Sequence, residues 1–324
     1  MSSAAETGKI RELLGRGDSR AGEGDARAAM SFYHAALGAA RAVQYVDAQT
    51  MSDLRRAQAY VQQRASEFEQ ALDRAVESAG VSDPIGRQRL THAMDMLKGK
   101  RSIYPQQPSV FYYPYLAQRQ FWERDEFDWA QELEAQTPII RAELEALLVD
   151  GADFRPYIEV EEDRPHRDFH GLHGDESWTA LYLWKEGKVV EENARRCPQT
   201  MAALEKVPIS RIGHRTPAVL FSRLLPGAHI PSHHGMLNSR LICHLPLIVP
   251  PGGWLRVGNE KREWREGELL IFDDSLEHEA KNPSGETRII LLFDVWKPEL
   301  GQDEPAAISD IFDAIDTYSG ASDD

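Results

Sequence analysis

Two histidines and one arginine, His233, His278 and Arg288, are the residues best suited by type and spacing to do chemistry. Imidazole is the commonest protein ligand for iron, zinc and copper. His233 follows the apolar stretch "LFSRLL", and His278 lies just past "GELLIFDD". In a barrel of short strands, ends distant in sequence meet at one mouth, so the two imidazoles can share one metal. A two-histidine-one-carboxylate iron site sets its acid two residues after the first histidine, yet residue 235 is glycine. Asp273, Asp274 and Glu277 lie close to His278 in sequence, and Asp274, or a water it orients, is the candidate to substitute nearby. Arg288 opens the strand-like "RIILLFDVW", ten residues after His278. A buried arginine needs an anion, and its planar fork suits a carboxylate bidentately. Spacing alone leaves two readings open: a clamp on an acidic cosubstrate such as 2-oxoglutarate, or a strand cap against Asp273, Asp274 or Glu277.

These residues need a rigid frame. From residue 177 the chain runs through "WTALYLWKEGK", "AVLFSRLLPG", "RLICHLPLIVPPGG", "WLRVGNE", "GELLIFDD" and "TRIILLFDVW". Each has a short apolar or β-branched core, and Pro-Gly, Gly-Gly or Asn-Glu separates several of them. The spacing predicts an antiparallel double-stranded β-helix, the jelly-roll or cupin-like form. From Gly267 the pattern Gly-x5-Asp273-x-Ser275-x2-His278-x3-Asn282 resembles the second cupin motif, with aspartate and serine replacing its proline and glycine. Arg240 and His244 are four apart, so period-two alternation turns both into the pocket and Leu241, Cys243 and Leu245 away from it.

Ahead of the barrel, residues 1–105 read as helical. "GDARAAMSFYHAAL" resembles one helix of a tetratricopeptide repeat, without a second copy at that repeat's period of about 34 residues. The region suits packing or a protein partner rather than chemistry. "RSIYPQQPSVFYYPYLAQRQFW" reads as a linker, residues 106–300 as the catalytic domain, and residues 301–324 as a peripheral acidic tail.

The string "HHGMLNSRLICHLPLIVPPGGWLRVGNEKREWREGELLIFDDSLEHEAKNPSGETRIILLFDVWKPEL" resembles the aspartyl/asparaginyl β-hydroxylase family of iron(II)- and 2-oxoglutarate-dependent dioxygenases. "SWTALYLWKEGKVVEENARRCPQTMAALEKVPI" resembles it upstream, and the likeness spans roughly residues 108–300. It implies His233 and His278 as iron ligands and Arg288 as the clamp on the distal carboxylate of 2-oxoglutarate. Trp178, Ser222 and His244 match further cosubstrate contacts. Dioxygen would be the second cosubstrate, and succinate and carbon dioxide would be released as an unactivated carbon is hydroxylated. The family carries glycine where related dioxygenases carry the acid, so Gly235 fits it. The animal enzyme reads R-L-R-x-H where this chain has Arg240-Leu241-Ile242-Cys243-His244, so Ile242 stands in place of a second arginine. Arg240 and Arg223 are the remaining candidates to bind a substrate carboxylate. The expected substrate is aspartyl, asparaginyl or otherwise amino-acid-like, free or peptidyl. A cupin-type metalloenzyme without 2-oxoglutarate, and a non-catalytic helical-plus-barrel interaction protein, stay open.

The other histidines read differently. His166, His170 and His173 read as a solvated loop, His229 as a loop residue and His234 as outer-sphere or surface. The net charge of -15 argues against nucleic acid or an anionic membrane as partner. Two cysteines, no apolar leader and no run long enough to span a bilayer lead to the expectation of a cytoplasmic protein.

Overall fold

The computed structural model describes residues 3–159, 171–213 and 215–318. The chain divides into two units, Met1–Arg101 and Ser102–Asp324.

The first unit is helical: α1 (Ser3–Gly22), α2 (Ala26–Arg41), α3 (Ala48–Ser78) and α4 (Pro84–Leu97). Asp25, Asp47 and Asp83 cap α2, α3 and α4, each accepting the N–H of the residue three further on. Such a cap satisfies one of the orphan donors that open every helix. Ala29 and Ala36 of the repeat-like stretch are small enough for Tyr33 to pack with Ile10, Leu14 and Leu54 in this unit's core. The Tyr33 hydroxyl donates to Asp18 at 2.7 Å.

The second unit is a double-stranded β-helix. In chain order it contains β1 (Phe121–Trp122), α5 (Ala130–Ala135), α6 (Thr137–Val149), β2 (Arg155–Pro156), β3 (Trp178–Lys185), β4 (Lys188–Val189), α7 (Glu191–Ala194), α8 (Pro198–Leu204) and β5 (Val219–Leu224). Then come β6 (His229–His233), β7 (Arg240–Ile248), β8 (Trp254–Val257), β9 (Glu260–Glu263), β10 (Leu270–Phe272), β11 (His278–Lys281), β12 (Arg288–Trp296) and α9 (Glu304–Tyr318). The larger sheet runs β1-β10-β7-β12-β5-β3-β2, with β4 on β3, and the smaller runs β6-β11-β8-β9. All named pairings are antiparallel.

Alternation along the strands builds three layers. Leu241, Cys243, Leu245 and Leu247 of β7 and Leu291, Phe293 and Val295 of β12 face Ile140, Leu144 and Leu147 of α6. The opposite face of the large sheet, with Trp178, Ile242 and Phe272, meets Ile230, Leu255 and Ala280 of the small one. A slip of one residue would exchange these faces, so the apolar pattern fixes the register that aims the site residues.

Two segments pack more closely than their composition suggests. The proline- and aromatic-rich stretch is a strap within the second unit. Gln107 N–H donates to Ser275 O at 2.8 Å, Ser109 N–H to Gly235 O at 2.9 Å and Phe111 N–H to Met236 O at 3.1 Å. It thus holds the two turns that follow β6 and β10. Residues 304–318 of the acidic tail form α9, whose Ile308 and Phe312 pack with Ile212 and Leu237. Apolar residues four apart give α9 a burying face despite its acidic surroundings.

Candidate active site

His233 ends β6, His278 opens β11, and the two are register partners. Their ring centroids are 4.0 Å apart. His233 Nδ1 lies 2.8 Å from Pro231 O, and His278 Nδ1 lies 3.0 Å from Leu276 O. A carbonyl can only accept, so both rings carry their proton on Nδ1 and present the Nε2 lone pair to a cation. Burial and the neighbouring imidazole hold His278 well below the usual histidine range, so it is neutral at pH 7. Among the described residues no third His, Cys, Asp or Glu completes a metal cluster.

Gly235 is glycine for a steric reason. Its N–H donates to Asp274 O at 2.6 Å, and a Cβ at this position would overlap the Asp274 carboxylate. A carboxylate therefore does approach residue 235, from the turn after β10. Asp274 Oδ1 is buried without a hydrogen-bond partner, and burial lifts this carboxyl to about 6 against the pull of Arg240.

The cavity between the sheets has a volume of 430 Å³. Trp178, Ser222, His233, His244, His278 and Arg288 all line it. Trp178 Nε1 donates to Ser222 Oγ at 3.2 Å, and Tyr157 stacks on Trp178 at 4.0 Å. His244 has the tautomer opposite to the other two. Trp264 Nε1 donates to its Nδ1 at 3.2 Å, so its proton sits on Nε2. Burial, then the charge of Arg288, holds His244 well below its ordinary value and keeps it neutral.

Arg288 is 1% exposed. It donates to Ser222 O at 3.1 Å and stacks on Trp264 at 4.5 Å. Its Nε has no partner, and no carboxylate pairs with it among the described residues. The three acids that could have capped it are engaged elsewhere. Asp273 binds Lys297 at 2.7 Å, Asp274 binds Arg240 at 3.2 Å, and Glu277 binds Arg256 at 2.8 Å. Burial alone brings the Arg288 guanidinium down to about 9. A buried cation left in this condition is a demand for an anionic ligand.

The substrate candidates separate. Arg240 lines the cavity as alternation predicts, but it lies between Asp274 and Asp294, at 3.2 and 3.4 Å. Arg223 is not in the cavity. It directly follows Ser222 on β5, so its side chain leaves from the other face, stacks on Phe154 at 4.5 Å and donates to Thr179 Oγ1 at 2.9 Å. His229 pairs with Glu279 at 3.0 Å, away from the cavity. His166 and His170 lie outside the described residues, while His173 lines the cavity rather than a solvated loop.

Sequence reasoning missed Trp264, which braces both His244 and Arg288, and Asp294, a cavity residue whose alternation with Arg288, Ile290 and Leu292 along β12 was a readable signal. It also missed Arg215, a cavity residue that donates to Asp316 of α9 at 2.6 Å and stacks on Phe312 at 4.9 Å.

The family model described as Aspartyl/Asparaginyl beta-hydroxylase matches residues 134–298. The chain belongs to the aspartyl/asparaginyl beta-hydroxylase family. The matched residues run from the end of α5 through β12, and omit β1, α9 and the strap. The chain is 39% identical over 175 residues to the ornithine lipid ester-linked acyl 2-hydroxylase of Rhizobium tropici, covering 53% of this chain and 58% of that protein. It is 41% identical over 124 residues to the aspartyl/asparaginyl beta-hydroxylase of Mus musculus, covering 38% of this chain and 17% of that protein. It thus spans less than two thirds of the length of either curated relative. Among solved structures, a Pseudomonas putida prolyl-4-hydroxylase matches with 13% identity and a TM-score of 0.31, over 52% of this chain and 99% of that one. No helix among the described residues is long and apolar enough to cross a membrane.

Proposed function

We propose that this chain is an iron(II)- and 2-oxoglutarate-dependent hydroxylase with dioxygen as second cosubstrate. The observation that carries the reading is Arg288, a buried guanidinium without a carboxylate partner among the described residues, sharing a cavity with two imidazoles that present Nε2. The residues fit the group. His233 and His278 would hold iron(II), a metal that imidazole suits. Arg288 would take the distal carboxylate of 2-oxoglutarate, with the His244 Nε2–H, Ser222 and Trp178 as neighbouring polar groups. Dioxygen would be the oxidant, activated at iron(II): 2-oxoglutarate would give up two electrons in becoming succinate and carbon dioxide, and the C–H bond the other two in becoming C–OH.

This chain's own residues bind, orient and keep water out. The carbonyls of Pro231 and Leu276 lock the two imidazoles in the ligating tautomer. Trp264 fixes His244 as a donor and shields the Arg288 guanidinium. Asp274, held by Arg240, sets its carboxylate against Gly235 in the cavity that His233 and His278 also line. A cupin-type enzyme without 2-oxoglutarate, or a non-catalytic barrel, would have no use for an uncompensated Arg288.

For the substrate we propose an aspartyl, asparaginyl or other amino-acid-like group, free or peptidyl, with Arg215 and Arg240 lining its end of the cavity. An aliphatic chain is the second reading. Ile230, Ile242, Leu255, Ile290 and Leu292 line the cavity, and Ile242 stands where the animal enzyme has arginine. The Rhizobium tropici relative, by its name, hydroxylates an ester-linked acyl group. The net charge of -15 keeps nucleic acid and anionic membrane surfaces outside this reading. The unpaired, buried Cys197 and Cys243 suit a reducing, cytoplasmic setting.

The test is succinate release from iron(II)-loaded protein under air, against peptides, free amino acids and acylated amino acids, with mass spectrometry for one added oxygen. Succinate that depends on 2-oxoglutarate, and that His278→Ala abolishes, supports the proposal. No succinate, even in slow uncoupled turnover, sinks it. His278→Ala should weaken iron(II) more than the ~10–100-fold typical of losing a supporting outer group.

A further inference from the structure

The helical unit carries a groove of its own, 740 Å³ in volume, between α2 and α3 and closed by the connection over residues 42–47. Its lining is apolar at Leu37, Val43, Val46, Leu54 and Val61. Arg41 of α2 and Arg55 of α3 line it too, together with His34. No aspartate or glutamate lines the groove. Neither arginine has a carboxylate partner among the described residues, whereas Arg11, Arg56 and Arg64 of the same unit pair with Asp47, Asp18 and Glu67. Tyr45 and Met51, at the same groove, are 74% and 40% exposed.

Charge is distributed to match. The whole chain has 37 Lys and Arg against 52 Asp and Glu, but its first 101 residues have 15 against 13. An apolar groove with two unpaired guanidiniums, in an otherwise acidic chain, complements one chemistry in particular. Guanidinium forks favour carboxylates bidentately, and a concave apolar floor accepts a side chain rather than a flat protein face. A nucleic-acid strand would ask for a continuous basic track with several stacking rings, and the groove offers Tyr45 alone among aromatic residues.

We propose that this groove binds an acidic, partly apolar peptide segment of a partner protein, with carboxylates at Arg41 and Arg55 and an apolar side chain between them. The proposal is independent of the chemistry of the barrel.

It is tested on the full chain by fluorescence anisotropy with three labelled ligands: a short alternating Glu-Leu peptide, its Gln-Leu counterpart and an oligothymidylate. The Glu-Leu peptide should saturate below about 1 mM and lose affinity at higher salt. Arg41→Glu and Arg55→Glu should each weaken it about tenfold or more, and the milder Arg55→Gln in the same direction. Arg74→Glu, which reverses an exposed charge of α3 outside the groove, should leave it unchanged. Circular dichroism of each variant checks that the helices persist. No saturation, equal binding of the Gln-Leu peptide, tighter binding of the oligothymidylate, or an equal loss in Arg74→Glu overturns the proposal.

Discussion

Two arginines with little exposure line one cavity and live under opposite electrostatic conditions. Arg240 lies between two carboxylates, Asp274 and Asp294, and Asp294 is further satisfied by Ser210 at 2.7 Å. Arg288 has a carbonyl, a tryptophan face and, among the described residues, no counter-ion. Arg288 is fully buried and Arg240 nearly so, and the neighbours are what separate their roles. The balanced arginine is part of the wall. The unbalanced one is half of a contact whose other half must arrive from outside.

The largest expected effect breaks the balanced side. Arg240→Leu strands Asp274 and Asp294, and chemical denaturation at pH 7 should register a loss of about 3–5 kcal/mol. Arg288→Leu, by contrast, removes a charge that no carboxylate among the described residues neutralises, and should leave the unliganded protein as stable as the wild type or more so.

The next effect depends on pH. Burial raises the Asp274 carboxyl from 3.8 to about 6, so in the folded chain its ionised form is disfavoured. The stability this group contributes is therefore present below pH 4 and lost as the pH rises through 6. At pH 7, Asp274→Asn should be more stable than the metal-free wild type by up to about 3 kcal/mol. The gap should close as the pH is lowered towards 4. A gap that widened would mean that Arg240 outweighs burial.

The third sharpens the unbalanced side. Arg288→Ala should weaken 2-oxoglutarate by about 1.5–3 kcal/mol, the worth of a charged hydrogen bond, while iron(II) affinity stays nearly unchanged in calorimetry. If both fell together, the arginine would be structural. The smallest effect concerns Arg223. Its truncation to alanine removes a ring contact and a hydrogen bond to Thr179 on the far side of the sheet. Stability should drop by about 1 kcal/mol, with succinate turnover unchanged.

What the chain revealed in advance follows strand physics. On β7 the four-residue step from Arg240 to His244 aimed both into the cavity, while Leu241 and Cys243 faced α6. The same rule, applied to the adjacent Ser222 and Arg223, would have removed Arg223 from the candidates, because neighbours on a strand face opposite ways. The strap had no readable period because its backbone donors go to loop carbonyls, those of Gly235, Met236 and Ser275, and not to a ladder. Gln106, which donates to the fully buried Asp273 at 2.6 Å, had no signal at all beyond its proline-rich surroundings. In α9 the pattern Ile308, Phe312, Asp316 was visible, but an acidic residue as the third buried member broke the apolar reading. Its partner, Arg215, becomes intelligible only in three dimensions.

The central claim, that Arg288 awaits a carboxylate beside a two-histidine iron site, is tested most directly by anaerobic titration. Iron(II)-loaded protein is titrated with 2-oxoglutarate while the visible charge-transfer absorption of the chelate is followed. The account predicts a saturable band in the wild type and, in Arg288→Ala, the same band at a 2-oxoglutarate concentration about ten- to a hundredfold higher. Absence of the band in the iron-loaded wild type, or an unchanged midpoint in Arg288→Ala, would contradict it.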